Sequence, residues 1–163
     1  MAGQAVAIAG AAPSNVVPIT LAQQEFATMR LNGQLFGISV LAVQDVMRRQ
    51  PIAPVPLAAP VIAGSINVRG RIVTAIDMRR RLGLADYPNP EKVMKVVVEF
   101  QGELYAFIVD AVGDVLSLPT KQLEKVPANM NAAWRSVASG VFKLEKELLV
   151  ILDVAHVIED INK

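Results

Sequence analysis

His156 is the only imidazole in this 163-residue chain, and the chain has no cysteine. Thiol nucleophiles, disulfides, Cys-ligated metals and any site built on two histidines are therefore excluded by counting. His156 stands in the run HVIED without a nucleophile elbow, so a Ser–His–Asp arrangement finds no support and a surface or packing role is expected. Asp77 and Asp153 have the residue type of paired general acid–base carboxylates. Each, however, closes an apolar run and precedes a short helical one, which is the position of a helix cap. The ten glycines form neither G-x-x-x-x-G-K nor G-x-G-x-x-G, so no phosphate loop is present. The adjacent Arg79, Arg80 and Arg81 point in different directions on a short helix, and a solvated face is expected of them. What remains is recognition rather than catalysis, with neither cofactor nor metal expected.

The elements that must position such residues come from a tandem repeat. At an offset of 69, residues 29–47 (MRLNGQLFGISVLAVQDVM) align with 98–116 (VEFQGELYAFIVDAVGDVL), matching Gly33 to Gly102 and Asp45 to Asp114. At an offset of 76, residues 64–78 (GSINVRGRIVTAIDM) align with 140–154 (GVFKLEKELLVILDV), matching Gly64 to Gly140 and Asp77 to Asp153. Two blocks recurring in one order imply two copies of a unit of about 70 residues, near the lower size limit for a stable core. Within a unit, Asn32-Gly33 and Gln101-Gly102 are hairpin turns between apolar runs, because a type I′ turn needs φ > 0 at both central positions. The segment LAVQDVM, with Leu41, Val43, Val46 and Met47 apolar, is expected to make one or two helical turns. A proline-rich crossing follows, then a hairpin around Arg69-Gly70 and a short helix, MRRRLGL, capped by Asp77 and ended at Gly83.

Hydrophobic residues make up 53% of the chain but aromatics only 5%, and 23 are valine, a stiff side chain suited to pleated sheets. The expected fold is mainly β: two SH3-like, five-stranded barrels packed side by side across an apolar seam, with short helices. The expected divisions are an alanine-rich flexible tail at 1–24, a first barrel at 25–88 and a second at 89–163. The tail lacks the basic start and unbroken apolar run of a secretory signal, and the prolines between Gln50 and Val68 would break a spanning helix. A cytoplasmic protein is expected. Residues 1–89 hold eight arginines against four acids, and residues 90–163 eight cations against eleven acids. This mild polarity suits head-to-tail contact with a similarly polarised partner.

Positions that break the repeat are the informative ones. The first unit has Asn67-Val68-Arg69-Gly70-Arg71 where the second has Lys143-Leu144-Glu145-Lys146-Glu147. Only the first turn combines a glycine, free to adopt φ > 0, with an arginine at the tip. A guanidinium there offers a planar fork of donors to a carboxylate or to helix-end carbonyls. The plain alternative is a solvated turn arginine.

These segments resemble the CheW family of chemotaxis coupling proteins. The resemblance rests on GQLFGISVLAVQDVM, on the run from PIAPVPLAAP through GSINVRGRIVTAIDMRRRLGL, and on IVDAVGDVLSLP with GVFKLEKELLVILDV. It covers about Glu25 to Ile161, and its most specific piece is the G-x-I-N-x-R-G hairpin with the strand ending Ile-Asp-Met-Arg. What it implies is a non-catalytic adaptor of two five-stranded barrels. Such an adaptor would bridge the cytoplasmic tip of chemoreceptors to the regulatory domain of the histidine kinase CheA, and so be recruited to the inner face of the membrane. Carried over by motif, receptor or kinase contact falls to Val43, Asp45, Val46, Gly64, Asn67 and Arg69, with Gly70 supporting Arg69. Neither a receiver domain nor a kinase core is expected beside this unit. Two other readings stand beside this one: an adaptor of the same fold in a non-flagellar array such as one for twitching motility, and a small-barrel nucleic-acid-binding protein. The scarce aromatics and acidic second half oppose the nucleic-acid reading.

Overall fold

A computed structural model of the chain describes residues 22–48, 50–159 and 161. Among the described residues ten strands form two five-stranded sheets. In the first unit β1 (Gln23–Leu31), β2 (Gln34–Ser39) and β3 (Val43–Arg48) are followed by β4 (Ile62–Val68), β5 (Arg71–Asp77) and helix α1 (Met78–Arg81). The second repeats the pattern with β6 (Met94–Phe100), β7 (Glu103–Val109), β8 (Ala111–Pro119), helix α2 (Ala132–Val137), β9 (Ala138–Lys143), β10 (Leu148–Leu152) and helix α3 (Val154–Glu159). Asn32-Gly33, Arg69-Gly70 and Gln101-Gly102 all turn with both residues at φ between 52° and 84°, as the sequence requires.

The units do not fold as separate halves. The sheet orders are β8-β1-β2-β10-β9 and β3-β6-β7-β5-β4. Each unit keeps its first hairpin in one sheet and sends its third strand and last hairpin to the other. Exchanging the units converts one order into the other, so the molecule is a pseudo-symmetric swap, and the expected division at 88/89 does not correspond to its sheets. The tail boundary moves too: Gln23 and Gln24 already belong to β1, paired with Pro119 and Leu118 of β8. The rest of the expected tail, residues 1–21, lies outside the described residues.

Swapping explains where the apolar mass goes. A central core joins both sheets, with Met29, Phe36 and Val150 from one and Val96, Phe107 and Ile76 from the other. Two smaller cores lie on the opposite face of each sheet, one around Val73, Val97 and Ala106, the other around Phe26, Phe142 and Leu149. The inner strands β2, β7 and β10 are therefore buried on both faces, and their sequences read as continuous apolar runs rather than alternations.

The ladders do not close into barrels. Each sheet keeps two edges, and the chain after its third strand lies against one of them. Ala53 exchanges two backbone hydrogen bonds of 2.8 Å with Ser65 of β4, and Glu124 pairs likewise with Val141 of β9. The matched glycines Gly64 and Gly140 stand at these crossings. A Cβ on Gly64 would lie 2.3 Å from the Ala53 carbonyl oxygen, and one on Gly140 2.8 Å from that of Glu124.

Two expectations about local structure are corrected. The run 40–47 makes a single 3-10 turn, Val40–Ala42, and continues as strand β3, because its backbone finds partners on β6 from Val43 onward. The three arginines do not form a solvated face. Arg79 is buried, donating from Nε and Nη2 to both Asp110 oxygens at 2.8 and 2.6 Å and from Nη1 to the Ala85 carbonyl, beside the Tyr87 ring. Arg80 donates to the Pro60 carbonyl, and Arg81 to the Val157 and His156 carbonyls of α3. Asp77 and Asp153 are caps, as expected, accepting from the amides of Arg80 and His156.

Candidate interaction surface

Four of the seven residues expected to make contact lie together where the hairpin after edge strand β4 meets the other edge strand, β3. At the tip of the β4–β5 hairpin, Arg69 and Gly70 adopt φ of 52° and 84°. Arg69 itself therefore occupies the left-handed region, which a non-glycine residue enters only when held there. The holding contact is local: the Asn67 side-chain oxygen accepts from the Gly70 amide at 2.9 Å. Asn67 thus acts on the turn, and the turn fixes where Arg69 leaves the backbone.

Across the sheet's open side stands β3, bulged between Val43 and Asp45 relative to β6. Asp45 accepts from the Val46 amide at 2.8 Å with one oxygen, and its other oxygen lies 3.2 Å from Arg69 Nη2. The Arg69 side chain is 83% exposed and that of Asp45 29%. Such a pair contributes about 0–1 kcal/mol to folding, so its consequence is orientation: the guanidinium is held beside β3 with most of its donors facing solvent.

Of the seven residues expected here, the structure joins Asp45, Asn67, Arg69 and Gly70 into one unit. Val46 follows Asp45 on β3 and is 40% exposed. Val43 is half-buried against the central core. Gly64 is buried beneath Ile52 and Ala53, and its geometry accounts for the glycine without any partner. Ile72, which faces Asn67 across the hairpin and is 71% exposed, was not singled out from sequence. The alternation in β5 carried the signal: Val73 and Ala75 fill the smaller core, so Ile72 points the other way, beyond the reach of the central core.

The second unit shows what is particular to the first. By the repeat, Asp45 corresponds to Asp114 and Arg69 to Glu145, so the ion pair is replaced by two acids. Its turn is tied differently, by Arg30 donating to both Glu147 oxygens at 2.9 Å. The pairing of Asp45 with Arg69 is therefore not demanded by the fold. Among the described residues no group of three or more potential metal-ligating side chains exists, and no helix is long and apolar enough to cross a membrane. His156 is exposed in α3, with Nδ1 3.7 Å from Asp153.

Residues 25–162 match the CheW-like domain family. This chain belongs to that family. The chain is 25% identical over 139 residues to the chemotaxis protein CheW of Rhizobium meliloti (strain 1021), covering 85% of this chain and 90% of that one. Its identity to the Bacillus subtilis (strain 168) chemotaxis protein CheW is 27% over 136 residues, covering 83% and 87%. In fold it is similar to the scaffolding protein TtCheW from Thermoanaerobacter tengcongensis, with a TM-score of 0.77 at 24% identity over 85% of this chain and 94% of that one. The swapped two-sheet β architecture is thus the architecture of this CheW-like domain.

Proposed function

We propose that this CheW-like protein is a non-catalytic adaptor of chemotaxis signalling. It holds the cytoplasmic tip of a chemoreceptor and the regulatory domain of the histidine kinase CheA in one assembly, and it reaches the membrane's inner face by binding receptors. The observation that carries the reading is the Arg69 turn: a guanidinium in a held left-handed turn, oriented by Asp45, left open to solvent, and absent from the equivalent turn of the other unit. A planar donor fork held in place loses little freedom on meeting a carboxylate or helix-end carbonyls. The names of the similar chemotaxis proteins support the setting. Coupling requires only that two partners be held so that a shift in one biases the other.

Co-sedimentation with receptor-containing membranes, with and without the cognate kinase, tests this. Recruitment that strengthens when receptor and kinase are both present is expected. Absence of recruitment by the folded protein to competent receptors would remove this array, and would move the function to a non-flagellar array or to another ligand.

A further inference from the structure

The sheet that carries Asp45 and Arg69 also buries one charged side chain without a counter-charge. Lys95 is 3% exposed on β6, on the same face as Val97, which fills the smaller core. Among the described residues its ammonium has neither a hydrogen bond nor an ion pair. Arg79, the other buried cation among the described residues, has Asp110. An ammonium taken out of water without a partner is costly, and burial pushes the Lys95 amine down from the usual lysine range.

Lys95 does not sit in closed packing. It lines a hollow of about 580 Å³ together with Gln50, Pro51, Ile52, Pro90 and Glu91. Glu91 is exposed at this hollow and makes no ion pair with it. Gln50, Pro51 and Ile52 also wall a second hollow, of about 420 Å³, that reaches Asn67 and Ile72. The two hollows therefore share the Gln50–Ile52 wall, one reaching Asn67 and Ile72 of the Arg69 hairpin and the other lined by Lys95. The bordering segments carry exposed Arg48, Arg69, Arg71 and Lys92 against Asp45 and Glu91, and Asp45 is already engaged by Arg69.

We propose that the hollow lined by Lys95 receives an acidic side chain of the protein that docks on the Arg69 turn. The partner's carboxylate pairs with Lys95 Nζ while its neighbouring apolar side chains cover Pro51, Ile52 and Ile72. The inference rests on the adaptor reading and adds to it the chemistry of the partner: an aspartate or glutamate flanked by apolar residues, projecting far enough to enter a recess.

Calorimetric titration of the full chain against two probes, the regulatory domain of its cognate CheA and a soluble receptor-tip fragment, tests this with Lys95→Met, Lys95→Arg and Arg69→Glu. Lys95→Met is expected to bind one probe at least about tenfold more weakly, with an unchanged or higher Tm, and Lys95→Arg to retain most of the affinity. If Lys95→Met binds both probes as wild type does while Arg69→Glu is weakened, the Lys95 site is wrong and the adaptor reading stands. If wild type binds neither probe, both fall. A second readout needs no variant: the Lys95 side-chain NMR signal should titrate at higher pH in the complex than in the free protein. An unmoved titration at saturation with each probe overturns the site.

Discussion

The Arg69 guanidinium lies 3.2 Å from the Asp45 carboxylate and so connects the hairpin after one edge strand, β4, to the other edge strand of the same sheet, β3. The contact crosses the side on which the ladder stays open. Farther along that opening, the Ala53–Ser65 bridge lays the chain against β4. Backbone pairing and one ion pair thus bring the two edges together, and the ion pair is the part that carries a solvent-facing functional group.

Because this pair is exposed, it can be altered without unfolding the protein. Arg69→Glu places an acid against Asp45 and is expected to move the thermal midpoint little, since exposed pairs contribute about 0–1 kcal/mol. Partner binding should fall at least about tenfold. The exchanged pair Asp45→Arg with Arg69→Asp restores the attraction but moves the cation to β3, and binding should stay weak. Calorimetry beside thermal melts checks both; recovery of binding in the exchanged pair would show that only the ion pair matters, not the place of the arginine.

Arg79 carries the opposite expectation. Its guanidinium is buried and grips both Asp110 oxygens while donating to the Ala85 carbonyl. Asp110 in turn accepts from the Asn32 amide at 2.8 Å, so α1 and the β1–β2 turn are both anchored on it. Arg79→Met leaves a half-buried carboxylate with the amide alone and should cost about 3 kcal/mol or more. Arg79→Lys should rescue little, because an ammonium cannot span both oxygens and the carbonyl. Urea melts of the two variants measure this.

The same carboxylate makes stability depend on acid. Burial pushes the Asp110 carboxyl up, but the Arg79 guanidinium and the Asn32 amide outweigh that and hold it below the usual carboxylate range. A group whose folded pKa is depressed contributes stability that is full above the unfolded value of about 4 and is lost as pH falls through the folded value. Wild type should therefore lose stability below about pH 4 more steeply than Asp110→Asn, whose own stability is lower at neutral pH. Equal slopes in melts from pH 6 to 2.5 would contradict this.

Gly64 separates a folding role from a binding one. Its φ is 150°, and an added Cβ would meet the Ala53 carbonyl oxygen at 2.3 Å. Gly64→Ala and its counterpart Gly140→Ala should both lower stability, by roughly 1–3 kcal/mol. Any binding loss in Gly64→Ala should accompany its melt rather than precede it. A Gly64→Ala protein of wild-type stability that no longer binds would make Gly64 a contact residue.

Local features were readable from the chain because local chemistry determines them. Asn32-Gly33 and Gln101-Gly102 make their turns wherever the strands go, and Asp77 caps α1 from one residue away. The swap was not readable, because the repeat matches hairpin to hairpin without saying whether β5 pairs with β2 of its own unit or with β7 of the other. Only the central core, which needs both sheets, decides between them. The segment 43–48 reads as helical because Val43, Val46 and Met47 are spaced like a helix face. Its burial alternates strictly, but Asp45 falls on the half-buried side and Val46 on the exposed one, so residue type hides the strand. The burial of Arg79 is not legible locally, because its partner Asp110 lies 31 residues away at a strand end.

If the protein couples receptor to kinase through the Arg69 surface, kinase output must register it. CheA autophosphorylation would be measured on receptor-containing membranes without adaptor, with the wild-type chain and with Arg69→Glu. Kinase activity is expected to depend on receptors only when the wild-type chain is present, and folded Arg69→Glu is expected largely to lose this dependence. Kinase activity indifferent to the wild-type chain, or equally supported by Arg69→Glu, would contradict it.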